Sequence, residues 1–489
     1  MARSNTHLAL KVSGLGRVAA VLGLATGFLA AQITPGNLVV VRLGDGSAAL
    51  SNAATPVFLD QFTITGTAVG TLPLPTSVSG ANRAVTNSGT ATSEGCLTQS
   101  ADGRYLLSAG YDAPVGTAAI AGSSVATVNR VIVRTALDGT IDSSTALGDA
   151  YSGNNIRGAA SDDGTRFWTS GPQTGTRFVA NLGATTSLQL STTATNTRYV
   201  DVVAGQVYCT SATTALRGVA AVGTGLPITA GQTVAALPGF PSDAAASNYD
   251  FFFADPATLY VADDRINGFG GIQKWTYAAG TWSLQYTLAP SATIGCRGLS
   301  GAVDALGIAT LYATTTHGSA NQLVCVTDTG AGASFTTIAT AATNTVFRGV
   351  RLVRCPSAGT EFFGQATAHT SGTPTLGVSA PFVLGTTPIV LASGMSANSV
   401  ALYLMGLRIP PLDLTILGAQ PGSELYVSIL LGLSVPTDGL GGAGFPIAVP
   451  TSSSLCGAEL TWQLVQVDAQ LPHALPIATS GGMTTRLGI

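Results

Sequence analysis

The chain is expected to be all-β and built on a repeated strand–turn–strand unit, and three observations lead there. Only 9% of its residues are charged, whereas 46% are hydrophobic and 60 of 489 are glycine. Thr, Val and Gly abound while the helix formers Glu, Lys and Gln are scarce, which favours strands over helices. Tight-turn pairs such as Asp102-Gly103, Asp138-Gly139 and Asp163-Gly164 separate short apolar runs. Finally, a polar lead-in, most often Arg-Gly, opens a small-residue strand that a turn connects to an aromatic-rich strand, and this recurs down the first 360 residues or so.

The clearest copies are Asn155-Ile156-Arg157-Gly158, leading through Asp163-Gly164 to Arg166-Phe167-Trp168, and Cys296-Arg297-Gly298, leading through Gly307 to Thr310-Leu311-Tyr312. Looser copies begin at Glu94-Gly95-Cys96, Arg198-Tyr199 and Phe251-Phe252-Phe253, and a sixth start is Phe347-Arg348-Gly349-Val350. Recurrence at roughly 40 to 60 residues, with four short strands per unit, is the pattern of a propeller blade.

In chain order, Arg3, Lys11 and Arg17 precede an apolar run over 18–31 that ends Phe28-Leu29-Ala30-Ala31-Gln32. A basic start, a short apolar stretch and small residues before a polar start describe a secretory signal over 1–31. The run is short of the roughly 20 residues that a spanning helix needs. Strands are expected at 38–43, 57–63 and 69–74, then a complete unit at 96–100, 105–109, 131–136 and 141–146. Further units run over 157–190, 198–237, 249–288 and 297–341.

Three strands stand at the beginning without an inner partner, and 347–353 stands at the end as an inner strand without companions. A propeller closes its ring by combining strands from both ends of the chain in one blade, which leaves no exposed edge. Five complete units and this composite make a six-bladed β-propeller over 32–370. Seven blades is the alternative, if Glu361-Phe362-Phe363-Gly364 is a blade strand. Composition shifts at Thr370-Ser371-Gly372-Thr373-Pro374. The alternating segments of 375–489, among them Ala401-Leu402-Tyr403-Leu404 and Leu460-Thr461-Trp462-Gln463-Leu464, suggest a small C-terminal β-sandwich.

At Tyr151-Ser152-Gly153-Asn154-Asn155-Ile156-Arg157, Phe251-Phe252-Phe253-Ala254-Asp255, Gly271-Ile272-Gln273-Lys274-Trp275 and Phe347-Arg348-Gly349-Val350, the chain resembles a family of exported bacterial β-propeller-like proteins of unknown function. Through Leu412-Asp413-Leu414, Pro421-Gly422 and Leu425-Tyr426 the tail is similar to C-terminal β-domains of secreted planctomycete-type proteins. The resemblance implies a fold and export to the periplasm, the medium or the cell surface, and it transfers no catalytic residues.

Net charge is −3, and removing the three basic residues of the signal leaves about −6. Lys11 and Lys274 are the only lysines, and there is no basic block, so nucleic-acid binding has no electrostatic support. Six widely spaced cysteines lack the spacing of a thiolate metal site. Export permits disulfides, and Cys296 with Cys325 could meet on neighbouring strands of one blade; the full connectivity stays open, and for most of the six the equal alternative is a free cysteine buried in a strand as a small hydrophobe. After His7 only His317, His369 and His473 remain, and no nucleophile elbow or phosphate loop occurs.

Arg157, Arg198, Arg297 and Arg348 occupy similar places at the start of the innermost strands. Propeller symmetry would gather them at one channel mouth together with Glu94 and Asp250. Converging guanidiniums suit a carboxylate, a phosphate or a sulfated glycan. The competing reading has each Arg pair with the neighbouring blade and lock blade to blade. Asp255, Asp263 and Asp264, with Asn267, form the densest acidic stretch, a candidate for Ca2+ with turn capping as the plainer explanation. Trp168, Trp275, Tyr277, Trp282 and Tyr286 are either a sugar-stacking platform or fillers between blades. A non-catalytic exported binding or scaffold protein is the function expected, its ligand an extracellular glycan or small anion. The rival is a propeller enzyme, a glycan lyase or hydrolase or a lactonase-like hydrolase. The tail is a candidate sorting or surface-attachment module.

Overall fold

The computed structural model describes residues 32–452 and 455–489, so the expected export signal over 1–31 lies outside the described residues. Strands and three short 3-10 turns make up the regular structure, with no α-helix among the described residues. Hence no helix there is long and apolar enough to cross a membrane.

Leu38–Leu43 reads LVVVRL and is buried almost throughout. Its side chains alternate between two apolar clusters, Val39, Val41 and Leu43 in one and Leu38 and Val40 in the other, so both of its faces are apolar. Ala54–Phe62 pairs with it antiparallel on one side, and Val346–Leu352, more than 300 residues away, pairs antiparallel on the other. With Ala68–Pro73 beside Ala54–Phe62, the first sheet therefore contains three strands from the beginning of the chain and one that arrives much later.

The second sheet runs Thr98–Gln99, Tyr105–Tyr111, Arg130–Ala136, Ile141–Leu147. The short strand Thr86–Ser88 pairs with both Ala54–Phe62 and Tyr105–Tyr111 and ties the first two sheets together. Four more antiparallel sheets of four strands each follow, led by Gly158–Ala160, Thr197–Val203, Asn248–Asp255 and Cys296–Val303. Each leading strand packs against the leading strand of the next sheet. Val346–Leu352 in turn touches both Cys296–Val303 and Thr98–Gln99. Apolar side chains fill the space between sheets. Phe251, Tyr260, Trp275, Leu299 and Leu311 share one cluster that joins the fifth and sixth sheets. With roughly 200 Å² per ring at roughly 25 cal/mol per Å², a buried aromatic contributes about 5 kcal/mol before entropy is counted.

From residue 359 the pairing changes partners. Gly359–Phe363, Gly482–Arg486, Glu459–Val467, Val400–Asp413 and Glu424–Pro436 form one antiparallel sheet in that order, with Ile477–Thr479 on its side. Thr375–Val378, Ile389–Ser393 and Ala443–Pro446 form a second sheet. Val390 and Ala392 of the smaller sheet share an apolar cluster with Tyr403, Trp462 and Met483 of the larger one. The strand proposed for a seventh blade, around Glu361-Phe362-Phe363, thus belongs with the C-terminal residues, and the change of partner precedes the Ser/Thr/Gly run that looked like a linker. That run is a tight turn. Backbone N and Oγ1 of Thr370 both donate to Asp468, at 2.8 and 2.7 Å.

Cys355, just past Val346–Leu352, forms a disulfide with Cys456, their Cα atoms 5.3 Å apart. The expected Cys296–Cys325 pair does not form. Cys296 lies on the first strand of the sixth sheet and Cys325 on the third, with Ala309–Thr315 between them.

Candidate functional site

The Arg-Gly signature is a β-bulge. Along the leading strands the pairing slips at matching positions, between Thr197 and Val200, Asn248 and Phe251, and Cys296 and Leu299. The slip between Val40 and Arg42 places the same irregularity over Arg348-Gly349. A bulge leaves an extra residue out of the ladder and re-aims its side chain. The glycine then admits the neighbouring strand. A Cβ at Gly298 would sit 2.6 Å from the Arg348 carbonyl, and one at Gly349 would sit 2.7 Å from the Gly95 carbonyl.

Aligning the strands puts Cys96, Arg157, Arg198, Tyr249, Arg297 and Arg348 at one position in successive sheets. Two of the four arginines, Arg198 and Arg297, meet at Tyr249. The Arg198 guanidinium lies over its ring at 4.2 Å and that of Arg297 at 5.7 Å. Arg157 lies near enough to Arg198, and Arg348 to Arg297, for their charges to repel.

Each arginine reaches outside its own strand, as the locking reading expects. Arg157 Nη1 donates to Asn196 Oδ1 at 2.7 Å and to the Thr197 carbonyl at 2.8 Å, both leading into the fourth sheet. Arg198 Nη1 donates to Ser247 Oγ and the Asn248 carbonyl of the fifth, at 3.0 and 3.1 Å. Arg297 pairs with Asp264 at 3.2 Å and donates to the Thr316 carbonyl. Arg348 Nη2 donates to the Gly89 carbonyl at 3.2 Å. Of the four, only Arg297 has a carboxylate within 4 Å among the described residues. Arg348 is 3% exposed, and its Nε and that of Arg157 have no hydrogen-bond partner among the described residues.

Burial and the neighbouring Arg297 lower Arg348 to about 10, with Glu94 opposing. Arg157 is lowered too, by burial and then by Arg198. Concentrated positive charge out of water is costly unless it is compensated.

Glu94 stands beside this group without pairing to it. Its oxygens accept from Tyr111 Oη at 2.6 Å and Ser88 N at 2.8 Å. Burial pushes its carboxyl up to about 7 against those donors and Arg348. Asp250 is 0% exposed and lies by Arg351, outside the predicted set, at 3.9 Å, with Asp201 at 3.4 Å from the same Nη2. Burial pushes Asp250 up to about 8, with Arg351 opposing.

Both carboxyls are raised, so the fold favours their neutral forms. The stability this lends is complete below the ordinary values of 4.5 and 3.8 and is lost as pH rises through about 7 and about 8. Glu94 alone accounts for on the order of 3 kcal/mol. The unfolding midpoint is therefore expected to fall between pH 5 and 9 in chloride buffers, as urea titrations would read. A midpoint that climbed with pH would contradict this assignment.

The three carboxylates considered for Ca2+ do not form one cluster. Asp255 pairs with Thr258 at one end of its hairpin, and Asp263 pairs with Asn248 at the other. Asp263 is held by Arg265 at 2.8 Å and Asp264 by Arg297. Among the described residues no three His, Cys, Asp or Glu side chains are placed to hold a metal ion. The five aromatics do not make a platform either. Trp168 is buried in the third sheet and Trp275 in the fifth, the Tyr286 hydroxyl donates to Asp328 at 2.7 Å, and of the five Tyr277 and Trp282 alone adjoin, their ring centroids 5.3 Å apart.

Sequence reasoning missed Tyr249, Asp201 and Arg351. The available signal was strand position. Tyr249 stands where its neighbouring sheets have arginine, and Arg351 is three residues beyond Arg348.

No protein-family model matches the chain, and no curated protein matches it. Among solved structures it is similar to a fungal alcohol oxidase of the AA5 family in complex with copper, at 11% identity over 94% of this chain and 98% of that one, TM-score 0.35. AofleA from Arthrobotrys oligospora is 12% identical over 66% of this chain and 87% of its own, TM-score 0.26. The polysaccharide lyase Uly1 is 10% identical over 83% and 92%, TM-score 0.29. At these scores the likenesses carry no argument about function.

Proposed function

We propose that this is an exported, non-catalytic binding protein whose six consecutive sheets close into a six-bladed propeller, and that the arginine group at one mouth of its channel takes a small multivalent oxyanion. The ring reading is supported by the leading strands, each packed on the next, and by the first sheet, which draws strands from both ends of the repeat region. The two C-terminal sheets that share one apolar cluster support a sandwich. Export is supported by the basic-apolar-small pattern over 1–31 and by the Cys355–Cys456 disulfide.

One observation carries the anion: Arg198 and Arg297 both lie over Tyr249, Arg157 is near enough to Arg198 and Arg348 to Arg297 for their charges to repel, and three of the four have no carboxylate partner among the described residues. Their bonds to backbone carbonyls fix the side chains and leave Arg157, Arg198 and Arg348 without a carboxylate partner among the described residues, so locking and binding are compatible. A carboxylate, phosphate or sulfate group offers several acceptors to the guanidinium forks. A glycan bearing such groups is the extended version of the same ligand.

The enzyme reading has one supporting feature, the Asp201–Asp250 pair. Both carboxyls are buried and share Arg351, which leaves neither of them open to a substrate.

Calorimetric titration of the mature chain with sulfate, phosphate and citrate at constant ionic strength tests the proposal. Saturable binding is expected for wild type, weakened at least about tenfold by Arg348→Met, with neutral oligosaccharides inert. Equal binding by wild type and a folded Arg348→Met variant would sink it. A variant that only loses stability, in a protein that binds none of the three anions, would leave the arginines as sheet-to-sheet locks.

A further inference from the structure

A second site lies at the opposite end of the leading strands. Thr197–Val203 begins beside the arginine group with Arg198 and ends at Val203, roughly 17 Å away at about 3.3 Å per residue. There a cleft of about 440 Å³ opens between the fourth and fifth sheets. Val203, Leu237, Pro238 and Pro256 contribute apolar surface, and four aromatic rings join them, those of Tyr208, Phe253, Trp282 and Tyr277. That volume falls within the range of small-molecule sites.

The rings follow one another as a curved wall. Tyr208 and Phe253 have centroids 5.0 Å apart and planes inclined at 41°. Phe253 and Trp282 follow at 6.0 Å and 74°, and Trp282 and Tyr277 at 5.3 Å and 42°. Rings inclined to one another in this way offer no single flat face of the kind on which a sugar ring stacks.

Electrostatics narrows the choice further. The one charged lining residue is Asp255. Its Oδ1 accepts from Ala257 N at 2.7 Å, and no cationic group of the described residues pairs with it. Aromatic faces and a carboxylate share one sign of potential, which attracts cations and repels anions. No arginine, lysine or histidine lines the cleft. The cation therefore has to come from the ligand.

We infer that this cleft binds a small organic cation of the quaternary ammonium class, through the rings of Tyr208, Phe253, Trp282 and Tyr277 and the carboxylate of Asp255. The methyl groups of such a cation spread its charge over an apolar surface that rings can cover. This site is independent of the anion site and does not rest on it.

Saturation-transfer NMR and calorimetry with choline chloride, set against 3,3-dimethyl-1-butanol, its uncharged counterpart of equal shape, test the inference on the mature chain. Choline is expected to bind at least about tenfold more tightly than the alcohol. Asp255→Asn keeps the turn-capping oxygen and is expected to erase most of that preference, whereas Gly318→Ala, whose added Cβ meets nothing within 4 Å, should leave it intact. Phe253→Leu, checked for an unchanged melting temperature, should weaken choline at least as much. Equal affinity for choline and the alcohol would overturn the inference. So would no saturable choline binding at all, or a choline preference that survives Asp255→Asn.

Discussion

Gly349→Ala is expected to destabilise the protein by about 3 kcal/mol, because the added methyl would have to enter backbone. Its Cβ would lie 2.7 Å from the Gly95 carbonyl oxygen and nearer still to Leu97 N. Neither obstacle is a side chain that can rotate away. The hydrogen bond from Gly349 N to the Gly95 carbonyl, now 2.8 Å, stands in the same gap and joins Val346–Leu352 to the approach to the second sheet. The effect is thus aimed at the place where the end of the repeat region meets its beginning. Gly318→Ala is the control, since a Cβ there would meet nothing within 4 Å. Urea unfolding would show a lowered midpoint for the first variant and none for the second. A Gly349→Ala protein as stable as wild type would mean that these strands do not meet so closely.

The second large effect concerns the disulfide. Cys355 and Cys456 are separated by 101 residues, and closing a loop of that length removes unfolded-state entropy worth about 4 to 5 kcal/mol in the chain-entropy account. Cys355→Ala with Cys456→Ala is expected to unfold residues 359–489 at lower urea than the sheets ahead of them, turning one transition into two. Limited proteolysis should then release an N-terminal fragment ending near residue 355. Unfolding curves that superimpose on wild type would contradict this. Cys96, Cys209 and Cys296 are buried and free, so reduction should act through this one bond.

Much of the architecture was legible because the relevant signals are local. Asp102-Gly103 and Asp138-Gly139 mark turns, and Leu38–Leu43 stands out as a strand buried on both faces. Even the sharing of one sheet between Leu38–Leu43 and Val346–Leu352 followed from counting strands that lacked partners. What stayed hidden depends on which strand a strand chooses. Glu361-Phe362-Phe363 alternates equally well in either part of the molecule, and its pairing with Gly482–Arg486 is written in residues more than 100 positions away. Cysteine pairing fails for the same reason. The acidic stretch was misleading because a strand converts nearness in sequence into distance, so Asp255 and Asp263 end at opposite ends of one hairpin. In the candidate site the arginines were visible as repeated residues. Tyr249 escaped because a search for one residue type passes over the sheet where another holds the same position.

Selenate soaked into crystals of the mature protein and located by its anomalous scattering tests the central claim most directly. The expected result is a selenium peak within hydrogen-bonding reach, about 3 Å from selenate oxygen to nitrogen, of at least two guanidiniums among Arg157, Arg198, Arg297 and Arg348. Selenate found only elsewhere on the molecule, with these four arginines in unchanged positions, would contradict it.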